Sequence, residues 1–281
     1  MKTEVIISTY NNPAALDFCL HGVLAQSAGD FQICLADDGS GSETQALVEK
    51  WRGVFGAARL RHVWHPDAGF QKNKILNQAV LTSTADYLIF IDGDSIARKD
   101  FVQTHLARRR PGRFLTGGLI RLPAQVSPRL TNSSIASGEI FSFAWLGRNG
   151  GIIRPGSLIK LAYLPRPLSL LLDKISLVKR TWNGCNSSGW RADILAVNGF
   201  DETMKYGGED VELGARLNNL GILGEHVRYS SPLLHIHHER GYVHAEELAR
   251  HREMIAATRC QKKTWTPNGI SKSPADASQV A

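Results

Sequence analysis

Along the first hundred residues, short apolar runs alternate with longer segments in which apolar residues return every three or four positions. The runs Glu4–Thr9, Phe31–Ala36, Arg59–Trp64 and Tyr87–Ile91 predict four strands, and the last is apolar enough to be covered on both faces. The intervening segments predict three helices. One opens at Asn12-Pro13, an N-cap with a first-turn proline, and reaches Gln26; one follows the serines of Asp37-Asp-Gly-Ser-Gly-Ser42 to Trp51; one runs from Gln71 to Leu81. This rhythm predicts an α/β fold, a mostly parallel sheet with right-handed crossovers and helices on both faces. Such sheets bind ligands beyond the carboxyl ends of their strands. Thr9-Tyr-Asn11, Asp37-Asp38 and Asp92-Gly-Asp94 all fall on that edge.

Beyond Asp94 the pattern loosens. Lys99–Arg110 predicts a helix and Arg113–Leu119 a strand, and Arg121 to Arg180 reads as irregular. Gly208–Leu220 predicts a helix, Val227–His238 a strand and His244–Cys260 a last helix. With no repeat and no strong linker, the expected organisation is one domain over residues 1–265, followed by a polar tail, 266–281, expected to be disordered.

Composition narrows the partners. The chain is 43% hydrophobic and 21% charged over 281 residues, enough for a sizeable core. Lys plus Arg outnumber Asp plus Glu by 33 to 26, so an anionic partner is favoured. Nucleic acid is set aside: no helix-turn-helix, RNA-recognition or zinc-finger pattern occurs, and the acidic clusters would repel phosphate without a metal. Cys19, Cys34, Cys185 and Cys260 show no paired spacing, and no signal-peptide pattern precedes the first strand, so a cytoplasmic setting is expected. No apolar run is long enough to cross a bilayer. The basic, apolar segment Lys160–Arg180, with the arginine run 108–113, leaves two readings open: peripheral contact with the inner face of an anionic membrane, or a solvated basic face.

Five clusters could carry chemistry. Asp92 and Asp94 flank Gly93 at a strand end, where either turn geometry or a hard cation bridging diphosphate oxygens accounts for them. Asp37 and Asp38 end the neighbouring strand, where either a turn with an Asx bond or acceptance from a base N–H or ribose hydroxyls accounts for them. In Gly207-Gly-Glu-Asp210 the glycines admit a ligand to the backbone, and Glu209 and Asp210 open a helix whose dipole favours their ionised forms. Each carboxylate raises the other's proton affinity, so both helix capping and general-base chemistry fit. In Leu233-Leu-His-Ile-His-His-Glu239, strand periodicity puts His235 and His237 on one face and His238 on the other. Trp182 to Trp190 offers aromatic faces and amide and hydroxyl groups that suit a sugar or a packed loop.

The ordered set Ser8-Thr-Tyr-Asn11, Asp37-Asp-Gly-Ser40, Asp92-Gly-Asp94, Asn183-Gly-Cys-Asn-Ser-Ser188, Asn198-Gly-Phe-Asp-Glu202, Gly207-Gly-Glu-Asp210 and His235-x-x-His238 resembles an inverting GT-A glycosyltransferase of the family-two type. The later part is similar to the β-1,4-galactosyltransferase-like domain of bacterial polysaccharide and lipopolysaccharide transferases. The resemblance implies a Rossmann-like GT-A fold with a nucleotide-binding half, 1–97, and an acceptor-binding half, 98–265. It implies transfer of a sugar from a nucleotide-sugar, UDP-linked by preference, to a hydroxyl of a saccharide or lipid-linked saccharide.

Residue by residue, the resemblance implies that Asp38 meets the base, Asp92 the ribose and Asp94 a divalent cation, Mn²⁺ or Mg²⁺, with His235 or else His237 as a further ligand. Thr9, Tyr10, Asn11, Gly93, Asn186 and Trp182 would line the donor pocket. Asp210 would be the general base, with Glu209 beside the sugars. Relatives often carry an arginine where Leu76 stands, so basic contact to the nucleotide falls to Lys72 or Lys74. A nucleotidyltransferase would use similar carboxylates, but Ser8–Pro13 lacks the glycine and lysine of a triphosphate loop.

Overall fold

The computed structural model describes residues 1–151, 155–238 and 245–271. The chain begins β1 (Thr3–Thr9), α1 (Pro13–Leu24), β2 (Gln32–Asp37), α2 (Ser42–Phe55), β3 (Leu60–Trp64), α3 (Lys72–Thr82) and β4 (Tyr87–Asp92). It continues through β5 (Ser95–Ala97), α4 (Phe101–Arg108), β6 (Arg113–Gly117), β7 (Leu119–Arg121), α5 (Asn132–Ser137), α6 (Phe143–Arg148), α7 (Pro155–Leu161) and α8 (Arg166–Ile175). Then come β8 (Asn186–Trp190), α9 (Arg191–Ala196), α10 (Glu209–Asn219), β9 (Leu223–Val227), β10 (Leu233–His235) and α11 (Ala245–Cys260).

Alternate residues of the buried strands feed two cores. From β1, Val5 and Ile7 join Ile33, Leu35, Ile89 and Ile91 under α1, α2 and α4, while Ile6 joins Cys34, Leu88 and Phe90 on the face covered by α3, α9 and α10. The large sheet runs β3-β2-β1-β4-β8-β6-β9, with β8 antiparallel to both neighbours and every other pairing parallel. Connections run one way from β1 to β2 and the other way to β4, so strand order reverses between β1 and β4 and opens a crevice at their carboxyl ends. There Ser8 stands opposite Asp92.

A second sheet, β5-β10-β7, sits on a third core that includes Ile96, Ile120, Leu234 and Trp145. The expected strand 113–119 therefore splits at Gly118 between the two sheets, and the expected strand 227–238 shortens to β10, its first residue Val227 being the last of β9. Among the described residues, the stretch 121–180 carries four short α-helices and two 3-10 turns where the sequence suggested irregular chain. His244, the expected start of the last helix, lies outside the described residues.

Residues 266–271 were expected in a disordered tail, but Thr266 and Ser271 are buried against the Asn198–Glu202 loop. Asn198 donates through Nδ2 to the carbonyls of Thr266 and Ser271 at 2.7 and 2.8 Å, and its Oδ1 accepts from Ser271 N–H at 2.8 Å. Its backbone is left-handed, at φ 67°, a conformation that suits asparagine better than alanine. Asn198→Ala therefore strips partners from buried backbone and adds strain, an expected loss of about 2–4 kcal/mol in urea unfolding. A loss below ~1 kcal/mol would show that this segment does not hold the fold.

Candidate active site

The crevice between β1 and β4 gathers most of the charged groups singled out in the sequence. The β4 chain turns at Gly93, whose N–H donates to Ser8 O at 2.8 Å; a Cβ there would come within 3.1 Å of that oxygen, so a side chain would crowd the close approach of β1 and β4. Asp92 accepts from Ser8 Oγ and from Lys72 Nζ, each at 2.7 Å on Oδ1. Lys72 opens α3, and burial works against its ammonium, yet Asp92 and then Glu209 more than offset that and raise its proton affinity. Lys74, the other basic candidate, is exposed and donates to Gln71 Oε1 at 3.4 Å: two residues along a helix it faces away from the crevice.

Asp38 is 5% exposed and binds His65 Nε2 at 2.7 Å and Gln71 N–H at 2.9 Å. Burial raises its pKa against these two contacts. His65, on the loop after β3, was not singled out in the sequence; its place just past a strand on the ligand edge was the available signal. Thr9 is buried, its carbonyl accepting from Asp38 N–H at 3.0 Å. Tyr10 is half-exposed and donates to Asp67 at 2.9 Å. Asn11, left-handed at φ 43°, accepts from Gly41 N–H, so the β1 and β2 loops are joined at the rim.

Across the crevice, Gly207 and Gly208 adopt φ 104° and 101°, turning the chain so that α10 starts at Glu209. Asp210 accepts from Gly184 N–H at 2.9 Å and from Val211 N–H at 2.7 Å. Glu209 is buried and accepts from Gly207 N–H at 2.9 Å. Desolvation, then the neighbouring Asp210 carboxylate, raises Glu209 to about 7, and burial raises Asp210 as well. The dipole of α10 therefore does not keep this pair at ordinary carboxylate acidity. The buried Cys185 thiol, in the loop before β8, lies in the field of Asp92, Lys72, Asp94 and Asp210 together, which marks these four groups as one site.

The pH consequence of Glu209 has a definite sign. Its folded pKa lies above its ordinary 4.5, so the native state holds the proton more tightly and stability is lost as pH rises towards about 7. At about 1.4 kcal/mol per tenfold change in proton affinity, the loss is on the order of 3 kcal/mol. Glu209→Gln keeps an acceptor for Gly207 N–H and removes the titration. Melting curves from pH 5 to 8 are expected to show wild type losing stability relative to this variant; parallel curves would remove the buried titration.

Beyond Gly93, Asp94 leads into β5. Antiparallel pairing of β5 with β10 sets Ser95 opposite His235, and Ile236 N–H donates to Asp94 O at 2.9 Å. Asp94 Oδ2 lies 3.0 Å from His238 Nε2 and 3.5 Å from His235 Nε2, and one donor atom from each residue falls within 4.8 Å of the others. His237 does not join them: it is exposed, and its N–H donates to Ser127 Oγ at 3.0 Å. Strand alternation fails because β10 ends at His235, and the chain then turns His238 back onto Asp94. Burial opposes ionisation of Asp94, but the two imidazoles prevail and lower its pKa. One carboxylate and two imidazoles fit a divalent cation, and suit Mn²⁺ better than Mg²⁺, which prefers oxygen ligands.

Two further candidates are structural. Trp182 is 1% exposed and packs against Phe90 and Phe114 in the core, so it offers no face to a sugar. Asn186 is fully buried in β8 and donates to Gly118 O and Ser231 O, both at 2.9 Å, tying the sheet edge together rather than lining a pocket.

Residues 4–116 match the family described as glycosyl transferase family 2, and residues 168–239 match that described as N-terminal domain of galactosyltransferase. Validoxylamine A glucosyltransferase of Streptomyces hygroscopicus is 29% identical over 229 residues, 78% of this chain and 52% of that protein. An uncharacterized glycosyltransferase of Bacillus subtilis, YfnE, is 24% identical over 269 residues, 85% of this chain and 65% of that protein. The chain spans about half the length of the validoxylamine enzymes it matches. Among solved structures, the Pyrobaculum calidifontis mannosyltransferase PcManGT with GDP-Man and Mn²⁺ superposes with TM-score 0.62 at 15% identity, covering 92% of this chain and 64% of that one. TarS of S. aureus with UDP-GlcNAc does so with TM-score 0.60 at 16% identity, covering 93% and 69%.

Proposed function

Since residues 4–116 belong to glycosyl transferase family 2 and the sheet is of the GT-A type, we propose that this chain transfers a sugar from a nucleotide-sugar to a hydroxyl of a saccharide or lipid-linked saccharide, with inversion and with help from a divalent cation. The observation that carries the reading is the convergence of Asp92, Asp94, Lys72 and Asp210 on the carboxyl ends of β1 and β4, at the point where strand order reverses.

In this reading Asp38 receives the base and Oδ2 of Asp92 a ribose hydroxyl, its Oδ1 being held by Ser8 and Lys72. Asp94, His235 and His238 would hold a divalent cation, which when bound would supply positive charge for the departing nucleoside diphosphate. The Lys72 ammonium, within reach of Asp92 and in the field of Glu209, adds a second positive charge on the donor side. Asp210, fixed by two backbone N–H groups, takes the proton of the acceptor hydroxyl as it attacks the far face of the anomeric carbon, the arrangement used by inverting enzymes. UDP is the preferred carrier, and bacterial surface polysaccharide or lipopolysaccharide assembly the preferred setting, both on family likeness. The titrating Glu209 borders the same crevice and is placed beside the sugars.

The test is a screen of UDP-, GDP- and other nucleotide-sugars with and without Mn²⁺ or Mg²⁺, read by thermal shift and by release of nucleoside diphosphate. A metal-dependent shift with at least one donor is expected. No shift with any nucleotide-sugar would sink the reading.

A further inference from the structure

The helix α8 is amphipathic in the reverse of the usual sense. Its buried stripe is polar: Ser169 and Asp173 are 5% and 1% exposed, and Asp173 accepts from Tyr229 N–H at 2.8 Å and Ser230 Oγ at 2.6 Å and pairs with Arg108 at 3.4 Å. These contacts seat the helix beside β9 through a carboxylate. Its outward stripe is apolar: Leu168, Leu171 and Ile175 follow the three-and-four spacing of one helix face and are 42%, 52% and 58% exposed. The turn that follows projects further, with Leu177 fully exposed and Val178 at 47%. A soluble helix that turns its leucines to water while spending its acid on the interior leaves an apolar face that needs a cover.

The charge around that face identifies the cover. Arg166, Lys174, Lys179 and Arg180 are exposed on the helix and its turn. From Leu158 to Arg180 the sequence holds a single carboxylate, Asp173, and that one is buried and paired. A second copy of the chain packed by two-fold symmetry would set these cations against their own images with no local acid to offset them. A surface that is apolar at depth and anionic at its rim meets both features at once.

We propose that α8 and the turn after it dock on an anionic lipid bilayer, with Leu171, Ile175 and Leu177 entering the boundary between headgroups and acyl chains and the four cations meeting lipid phosphates. Among the described residues no helix is long and apolar enough to cross a membrane, so this contact is peripheral. It bears on the lipid-linked acceptor of the preceding section, yet it is measured without donor or metal, so the two readings fail separately.

The experiment sediments the full chain with phosphatidylcholine vesicles, with and without phosphatidylglycerol, at low and high salt. Wild type is expected to pellet with the anionic vesicles at low salt and to release as salt rises. The triple variant Leu171→Glu, Ile175→Glu, Leu177→Glu is expected to stay in the supernatant with an unchanged melting temperature, because all three side chains face water. Reversing Lys174, Lys179 and Arg180 to glutamate is expected to lower partitioning at least about tenfold. Absence of pelleting by wild type at low salt, or equal pelleting by the apolar variant, would overturn the proposal. So would a wild-type dimer that the apolar variant dissolves while neither protein binds vesicles.

Discussion

Asp210→Asn is expected to bind the nucleotide-sugar as wild type does and to transfer almost none of it. Removing a positioned general base costs about 10²–10⁴-fold in turnover. Donor affinity should hold, because Asp38, Asp92 and Lys72 lie on the first half of the sheet and Asp210 opens a helix on the second. Asparagine occupies nearly the same space, but Asp210 meets two backbone donors, Gly184 N–H and Val211 N–H, with its two oxygens. The variant has one oxygen for them and sets an amide against the other, so a small stability loss should accompany the kinetic one. A melting curve separates the two effects, and a steady-state split with turnover falling and donor KM unchanged is the signature of a missing base. Turnover equal to wild type would take Asp210 out of the chemistry.

The second large effect concerns the cation. Asp94→Ala and His238→Ala should each weaken Mn²⁺ binding by at least about 10–100-fold, the range seen even for groups that only support a ligand. Calorimetric titration of Mn²⁺ into each variant reads this directly, and donor affinity in the presence of Mn²⁺ should fall in parallel. His237→Ala should bind as wild type does, since the residue is exposed and its backbone N–H, which the variant keeps, is what meets Ser127. If His237→Ala loses the ion and His238→Ala keeps it, the geometry around Asp94 is not the one that binds.

Strands β1, β2 and β4 were legible in the sequence because they are buried on both faces and are largely apolar, whereas β3, the half-buried edge strand Leu-Arg-His-Val-Trp, was placed by the alternation of elements around it. The convergence of Asp38, Asp92 and Asp94 followed from the rule that such sheets bind ligands at one edge. The second half obeyed no such rule. Strand β8 reads Asn-Ser-Ser-Gly-Trp, yet it is the strand that carries the sheet past β4; its hydroxyls are buried by bonds such as Ser188 to Tyr87 and His105, which no periodicity reveals.

Trp182 left a sugar-facing and a packed loop both open because aromatic residues serve equally as core and as binding face, and only packing separates the two. Lysine 72 and Lys74 differ by two positions on one helix, so choosing between them required the phase of α3 against the crevice. His238, rather than the alternative His237, stands with His235 beside Asp94 for a simpler reason. Period-two reasoning holds only while the strand lasts, and β10 stops at His235.

The place of β8 has a consequence for biosynthesis. On a ribosome the strands β1 to β4 emerge in order and can pair as they appear, but β4 has β1 on one side and β8 on the other. Until Asn186–Trp190 is made, the nascent chain holds its most apolar strand as an open edge, the kind of edge that recruits neighbouring polypeptides. The interval between Asp92 and Asn186 is therefore when a growing chain most needs shielding, and the polar strand that ends that interval also joins β4 to β6.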